Sequence, residues 1–256
     1  HRDLHSFPTR RSSDLIASFL GALFGVFLYT VMPNDSAWSF FGLLFGLTAG
    51  AIFLVTLIPA KTSGFMTDGA QILSLLRGGA DVEQRALLLV LQAESLKGVR
   101  PREYSFEILQ RLLAVRCNPM IDASVDLFAY YYYLDQKNIE QAGQMLNRAL
   151  AQEKDLPEGL KQAIALEAAF FRAACEKQAE PARKFLQQSR GALAEKHTFL
   201  RSEAAVLFIE GHTAEARNKA LQAQTLVNQA FDTGSAKAEK DWLEQYIDWN
   251  QQDEKH

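Results

Sequence analysis

IASFLGALFGVFLYTVMPNDSAWSFFGLLFGLTAGAIFLVTLIPA, Ile16 to Ala60, holds a single charged residue, Asp35. Ile16 to Met32 is one continuous apolar run and Ala37 to Ala60 is a second. At 1.5 Å per residue a helix over each would reach roughly 25 and 36 Å, against a hydrocarbon core of about 30 Å. Between them Pro33-Asn34-Asp35-Ser36 is a short polar turn, which leaves room only for an antiparallel hairpin. The expectation is therefore two transmembrane helices within residues 16–60, with the lipid bilayer as their partner. Gly21 and Gly25, then Gly42, Gly46 and Gly50, recur at intervals of four. Small residues at that spacing let helix backbones approach closely in lipid, where van der Waals contact replaces the hydrophobic drive. Lys61, Arg77 and Arg85 follow the second run while the turn carries only Asp35, so the positive-inside rule places the C-terminal side in the cytoplasm.

Outside this block the composition is that of a water-soluble chain. Residues 1–15, HRDLHSFPTRRSSDL, lack apolar periodicity and resemble an in-frame translation of a common short-read sequencing adapter. They are read as an artefact and set aside from fold reasoning, since a cleavable leader would need a small-residue cleavage site that is not evident. Of the 27 basic and 30 acidic residues, that removes three and two, leaving 24 against 28. Such mild acidity gives no basic stripe for phosphates, so no nucleic acid is expected as a partner. Cys117 and Cys175 show no CxxC spacing and read as reduced thiols rather than a disulfide or zinc knuckle.

From Val82 onward the pattern is helical, with breakers at Gly98-Val99-Arg100-Pro101 and Asn118-Pro119. Glu83 to Lys97 and Tyr104 to Val115 read as amphipathic helices, and no substantial sheet is expected. Beyond Ile121 helices come in pairs, whose second members align at Ala142, Ala182 and Ala216, at intervals of 40 and 34 residues. The second interval equals the tetratricopeptide (TPR) period, in which a small residue and a larger one four later pack between helices. This predicts a TPR-like array of about three pairs and a closing helix near Trp242 to Trp249. The run Tyr130 to Tyr133 reads as helix packing with one or two exposed rings, and His197 and His212 read as surface or turn residues. The chain is thus expected to be all-α. A transmembrane hairpin over 16–60 precedes an Asp-Gly loop and helix over 61–80. Linker helices follow over 81–118, then a TPR-like domain over 119–250 and a disordered tail over 251–256.

The segment that invites chemistry is the break after the second apolar run. Pro59 ends that run, a loop follows, and Asp68-Gly69 opens a new helical pattern that stops at Gly78-Gly79. Thr56-Leu57-Ile58-Pro59, Asp68-Gly69, Gln71-Ile72-Leu73 and Leu75 to Gly79, continuing through Gly98 to Arg102, resemble the C-terminal half of the core of site-2 protease-type intramembrane zinc metalloproteases. That family has Asn-Leu-Leu-Pro shortly before Leu-Asp-Gly, whose aspartate is the third zinc ligand. Thr56 stands in place of the asparagine and the gap from Pro59 to Asp68 is longer, which points to a branch with Ser/Thr-Asp-Gly-Ala. The resemblance implies Asp68 as a metal ligand, with Thr56, Pro59 and Gly69 as motif support, a zinc cofactor, a membrane protein or peptide substrate and a bacterial inner-membrane location. The family takes its other two ligands and general base from His-Glu-x-x-His, where both imidazoles share one helix face. No such motif occurs: His197 begins HTFLR and His212 begins HTAEA. No catalytic residue is therefore assigned, the missing helix is expected upstream of Ile16, and the chain alone is expected to be inactive.

Two readings stay open. In one, the chain is the C-terminal part of a membrane-embedded zinc metalloprotease whose helical tail recruits a protein partner. In the other it is a non-catalytic, membrane-anchored helical-repeat scaffold, and Asp68 is simply an N-cap, a role that aspartate fills well.

Overall fold

The computed structural model of the chain describes residues 7–33, 35–62, 65–192 and 194–247. It is all-α, with twelve α-helices among the described residues, and it divides into two units at Gly79 and Ala80.

In the first unit, α1 (Phe7–Val31) and α2 (Ala37–Leu57) pack against each other. Helix α1 begins inside the stretch set aside as an artefact; His1 to Ser6 lie outside the described residues. Ser36 caps α2 by accepting a hydrogen bond from the Ser39 amide at 3.1 Å. Helix α2 ends where Ile58 turns extended ahead of Pro59, as the steric demand of proline on its predecessor requires. The glycines make the contact. A Cβ on Gly25 would run into the backbone of Gly46, and one on Gly42 would come within 2.7 Å of the Leu28 Cβ. Among the described residues Leu15–Val31 is a shorter apolar helix and one helix, Ala37–Leu57, is long and apolar enough to cross a membrane. Its buried face is Ser39, Gly42, Gly46 and Ala49; Trp38, Phe40, Leu47 and Val55 project outward, each more than 60% exposed. After Pro59, in place of the expected loop, comes a ladder of two residues a side, β1 (Lys61–Thr62) and β2 (Phe65–Met66). Helix α3 (Asp68–Arg77) closes the unit.

The second unit opens with α4 (Ala80–Leu96) and α5 (Phe106–Ala114), joined through the predicted breaker and a short 3-10 turn at Pro101–Glu103. These are not a linker. Leu88, Leu91, Leu109 and Leu112 belong to the same apolar core as the later helices, and Gln84 reaches from α4 to the Asp122 carboxylate at 2.9 Å.

Three helix pairs follow: α6 (Pro119–Asp135) with α7 (Ile139–Ala151), α8 (Glu158–Ala174) with α9 (Ala179–Gln188), and α10 (Lys196–Ile209) with α11 (Thr213–Val227). Asn118 caps α6 with Pro119 in its first turn, as the Asn-Pro boundary foretold. Each pair turns through a left-handed residue two positions before its second helix: Lys137 (φ 62), Lys177 (φ 58) and Gly211 (φ 86). Five residues further on in each case stand Ala142, Ala182 and Ala216, all fully buried. Four beyond these, Leu146, Leu186 and Ala220 are buried as well. A small side chain at that place lets the second helix settle against its neighbours.

The closing helix α12 (Thr233–Ile247) starts well ahead of the expected Trp242, and Trp249 lies outside the described residues, as does the tail 251–256. Tyr130 and Tyr132 are buried and Tyr131 and Tyr133 half-buried, so the tyrosine run is packing; the Tyr131 ring stacks on Trp242.

Candidate functional site

The Asp-Gly segment is built from the end of α2. Thr56 donates its hydroxyl to the carbonyl oxygens of Ile52 and Phe53 at 3.0 and 2.9 Å, so it is engaged within its own helix. Pro59 lies exposed just past the helix end. Neither contributes a ligating atom; Pro59 acts by stopping α2.

Thr67 is the residue that the sequence reading passed over. Its hydroxyl donates to the Ile58 carbonyl at 2.7 Å and accepts from the Ala60 amide at 3.0 Å, while the Thr67 amide donates to the Ala60 carbonyl at 3.1 Å. The same oxygen accepts from the Ala70 amide at 3.3 Å and so caps α3. One side chain thus ties the returning strand to the end of α2 and starts the next helix. The signal was present, since threonine directly before an acidic first turn is a usual helix start.

With Thr67 as N-cap, Asp68 is the first residue of α3 and not its cap, which corrects that alternative. The Asp68 carboxylate is half-buried. At the helix N-terminus it stands where the backbone dipole favours negative charge. Gly69 is explained by space: a Cβ there would overlap the carbonyl of Leu57. The start of α3 is therefore pressed against the end of α2, and no other residue fits without moving one of them.

A zinc site needs about three protein ligands. Among the described residues, no group of three or more His, Cys, Asp or Glu side chains comes together as a metal site. Asp68 supplies one carboxylate, so the residues present do not by themselves fit zinc.

The second unit holds its own cluster of charges, away from any sequence motif. Arg201, fully buried on α10, donates to both oxygens of Glu167 at 2.7 Å and to Glu239 Oε1 at 3.2 Å. Its guanidinium lies 4.2 Å from the Phe170 ring centre and 5.3 Å from that of Trp242. Burial disfavours its charge, but Glu167 and Glu239 outweigh that and hold it above the ordinary arginine value. Burial raises Glu239 above the usual carboxylate value, with Arg201 and His197 pulling the other way. His197 Nε2 stands 3.2 Å from Glu239 Oε2. His197 is thus buried in this cluster, not at the surface as expected, because it faces a carboxylate that needs a partner. His212 does occupy a turn, at the start of α11. The cluster joins α8, α10 and α12. Cys117 and Cys175 are both free thiols.

Compared with known proteins, the chain matches no family profile, no curated protein and no solved structure.

Proposed function

We propose that the chain is the C-terminal part of a membrane-embedded zinc metalloprotease of the site-2 protease type. In this reading the α1–α2 hairpin spans the bacterial inner membrane, and Asp68 gives one carboxylate to a metal whose remaining ligands come from a segment outside these 256 residues. The helices after Ala80 form a TPR-like cytoplasmic domain that holds a protein partner or the membrane-protein substrate. The observation that carries the proposal is that Thr67, not Asp68, takes the capping role at the place where an apolar helix breaks. Gly69 supports it, because the same Asp-Gly pair is pinned to the end of α2 and so holds a fixed position along the hairpin.

The second reading, a membrane-anchored scaffold, draws on the recurrence of one turn geometry and one buried alanine in three successive helix pairs. Stacked pairs of this kind present extended surfaces to other proteins.

The reading frame upstream of Ile16 decides between them. A His-Glu-x-x-His on an apolar helix is expected; its absence would end the enzyme proposal. In the longer protein Asp68→Asn should lower bound zinc, measured by metal analysis of the purified protein, by at least about tenfold with helicity unchanged. Zinc that stays at the level of the unmutated protein would leave the scaffold standing.

A further inference from the structure

The unexplained feature of the first unit is the outward side of α3. Ile72, Leu75 and Leu76 fall on one face at helical spacing and are 42%, 66% and 80% exposed. Leu76 is the most exposed of the large apolar side chains among the described residues. Asp68 and Gln71 precede Ile72 and Leu75 by one turn on the same side, and Ser74 and, in the last turn, the exposed Arg77 lie on the opposite side. Ten residues make a helix of about 15 Å, half of what a span requires, so α3 is too short to cross a bilayer. Its place is nonetheless fixed. Gly69 presses its first turn against Leu57, and α3 packs on both α1 and α2, at the end of the hairpin where α2 terminates. If α2 crosses the bilayer, that end is the membrane surface.

We infer that α3 is an interfacial helix that docks on the lipid surface, with Ile72, Leu75 and Leu76 sunk to the boundary between headgroups and acyl chains and Arg77 among anionic headgroups. The inference rests on reading the α1–α2 hairpin as lipid-embedded. Three observations select lipid as the occupant. The exposed side chains of the last two turns of α3, Ile72, Leu75 and Leu76, are aliphatic, which suits acyl chains, while Asp68 opens the same side one turn earlier. The face lies on an element locked to the end of the one helix among the described residues that is long and apolar enough to span. Arg77 ends α3, and cationic side chains are favoured at anionic membrane surfaces.

The test uses the 256-residue chain in nanodiscs of phosphatidylcholine and phosphatidylglycerol, with Cys117→Ser and Cys175→Ala removing the native thiols. Nitroxide labels go on single cysteines at Leu47, Leu75, Leu76 and, as the water-exposed reference, Glu180. Relaxation by molecular oxygen, which concentrates in lipid, is compared with relaxation by a neutral nickel chelate, which stays in water. Labels at Leu75 and Leu76 should show an oxygen-to-nickel ratio at least about threefold above Glu180, with Leu47 higher still because it sits deeper. If Leu47 is lipid-exposed but Leu75 and Leu76 match Glu180, the helix is in water; the inference fails and the hairpin reading survives. If Leu47 also matches Glu180, the hairpin reading fails and takes the inference with it. If Leu75 and Leu76 are closed to both reagents, protein covers the face and the inference is overturned. The four replaced side chains are exposed, so the labels leave the packing intact.

Discussion

The two units bury opposite kinds of residue. Along α2 the inward positions are Ser39, Gly42, Gly46 and Ala49, while tryptophan, phenylalanine and leucine point out. After Ala80 the inward positions are Tyr130, Leu146, Phe170 and Phe171, and even an arginine with its two carboxylates. A unit stabilised by water gains about 25 cal/mol for each Å² of apolar surface it hides, so it puts its largest apolar groups inside. The hairpin leaves most of its large apolar side chains exposed and brings its two helices together by backbone approach at glycine, as van der Waals packing without a hydrophobic drive would do. The contrast shows that one chain uses two packing rules. Each can be broken separately.

The largest effect is expected from the buried charges. Arg201→Ala strands Glu167 and Glu239 in an apolar core, and breaking such a buried cluster costs about 3–5 kcal/mol. Thermal or denaturant unfolding of the chain in detergent should show it in the second unit. The pH dependence has a definite sign. Burial holds Glu239 above its ordinary value of 4.5, so its contribution to stability is intact below pH 4.5 and is lost as pH rises through the folded-state value. Without Arg201 that loss is no longer opposed. The penalty of Arg201→Ala should therefore be greatest at neutral pH and shrink toward pH 4.5; a penalty independent of pH would mean that lost packing on Phe170, not charge, is responsible.

The matching break in the hairpin is Gly25→Leu, which forces side-chain atoms into the backbone of Gly46. Overpacking of this sort costs about 1–3 kcal/mol. A direct readout exists, because a Cβ built on Gly50 lies 3.8 Å from that of Ala22, the separation a disulfide needs. Ala22→Cys with Gly50→Cys, in a background free of the native thiols, should cross-link on oxidation. Adding Gly25→Leu should abolish the cross-link. A cross-link that persists would show that the helices do not depend on glycine for their approach.

Those glycines were legible in the sequence because their spacing of four is a helix period. The alanines at 142, 182 and 216 were legible for the same reason: small residues recurring at one place in a helical pattern have few uses besides close packing. What escaped was set by contacts distant in sequence. His197 has nothing around it in the chain to predict burial, since its partner Glu239 comes from α12. Arg201 is buried against Glu167 and Glu239, which lie 34 and 38 residues from it in sequence. Helices α4 and α5 looked like a linker because their breakers are local, whereas their membership of the core depends on helices that follow. Thr67 was missed for a different reason. Asp68 beside it is also a good cap, and only the hydroxyl's bonds to Ile58 and Ala60 decide which residue takes the role.

The smallest effect concerns the turns that make the three pairs alike. Lys137 and Lys177 adopt the left-handed conformation that Gly211 adopts at the corresponding place. A side chain there carries a steric cost of about 1–2 kcal/mol that glycine avoids. Glycine also has more freedom to lose on folding, which returns part of that gain. Lys137→Gly and Lys177→Gly should therefore each stabilise the second unit modestly, by about 0.5–1 kcal/mol, read as a rise in its unfolding midpoint. Gly211→Ala should do the reverse, and steric crowding would not explain it, since a Cβ at Gly211 meets nothing within 4 Å. Three shifts of those signs would mean that the pairs share one turn because the backbone geometry is common to them, whatever residue each happens to carry. If Lys137→Gly instead destabilised the unit, the lysine side chain would be contributing contacts of its own, and the likeness of the three turns would be a coincidence of dihedral angle.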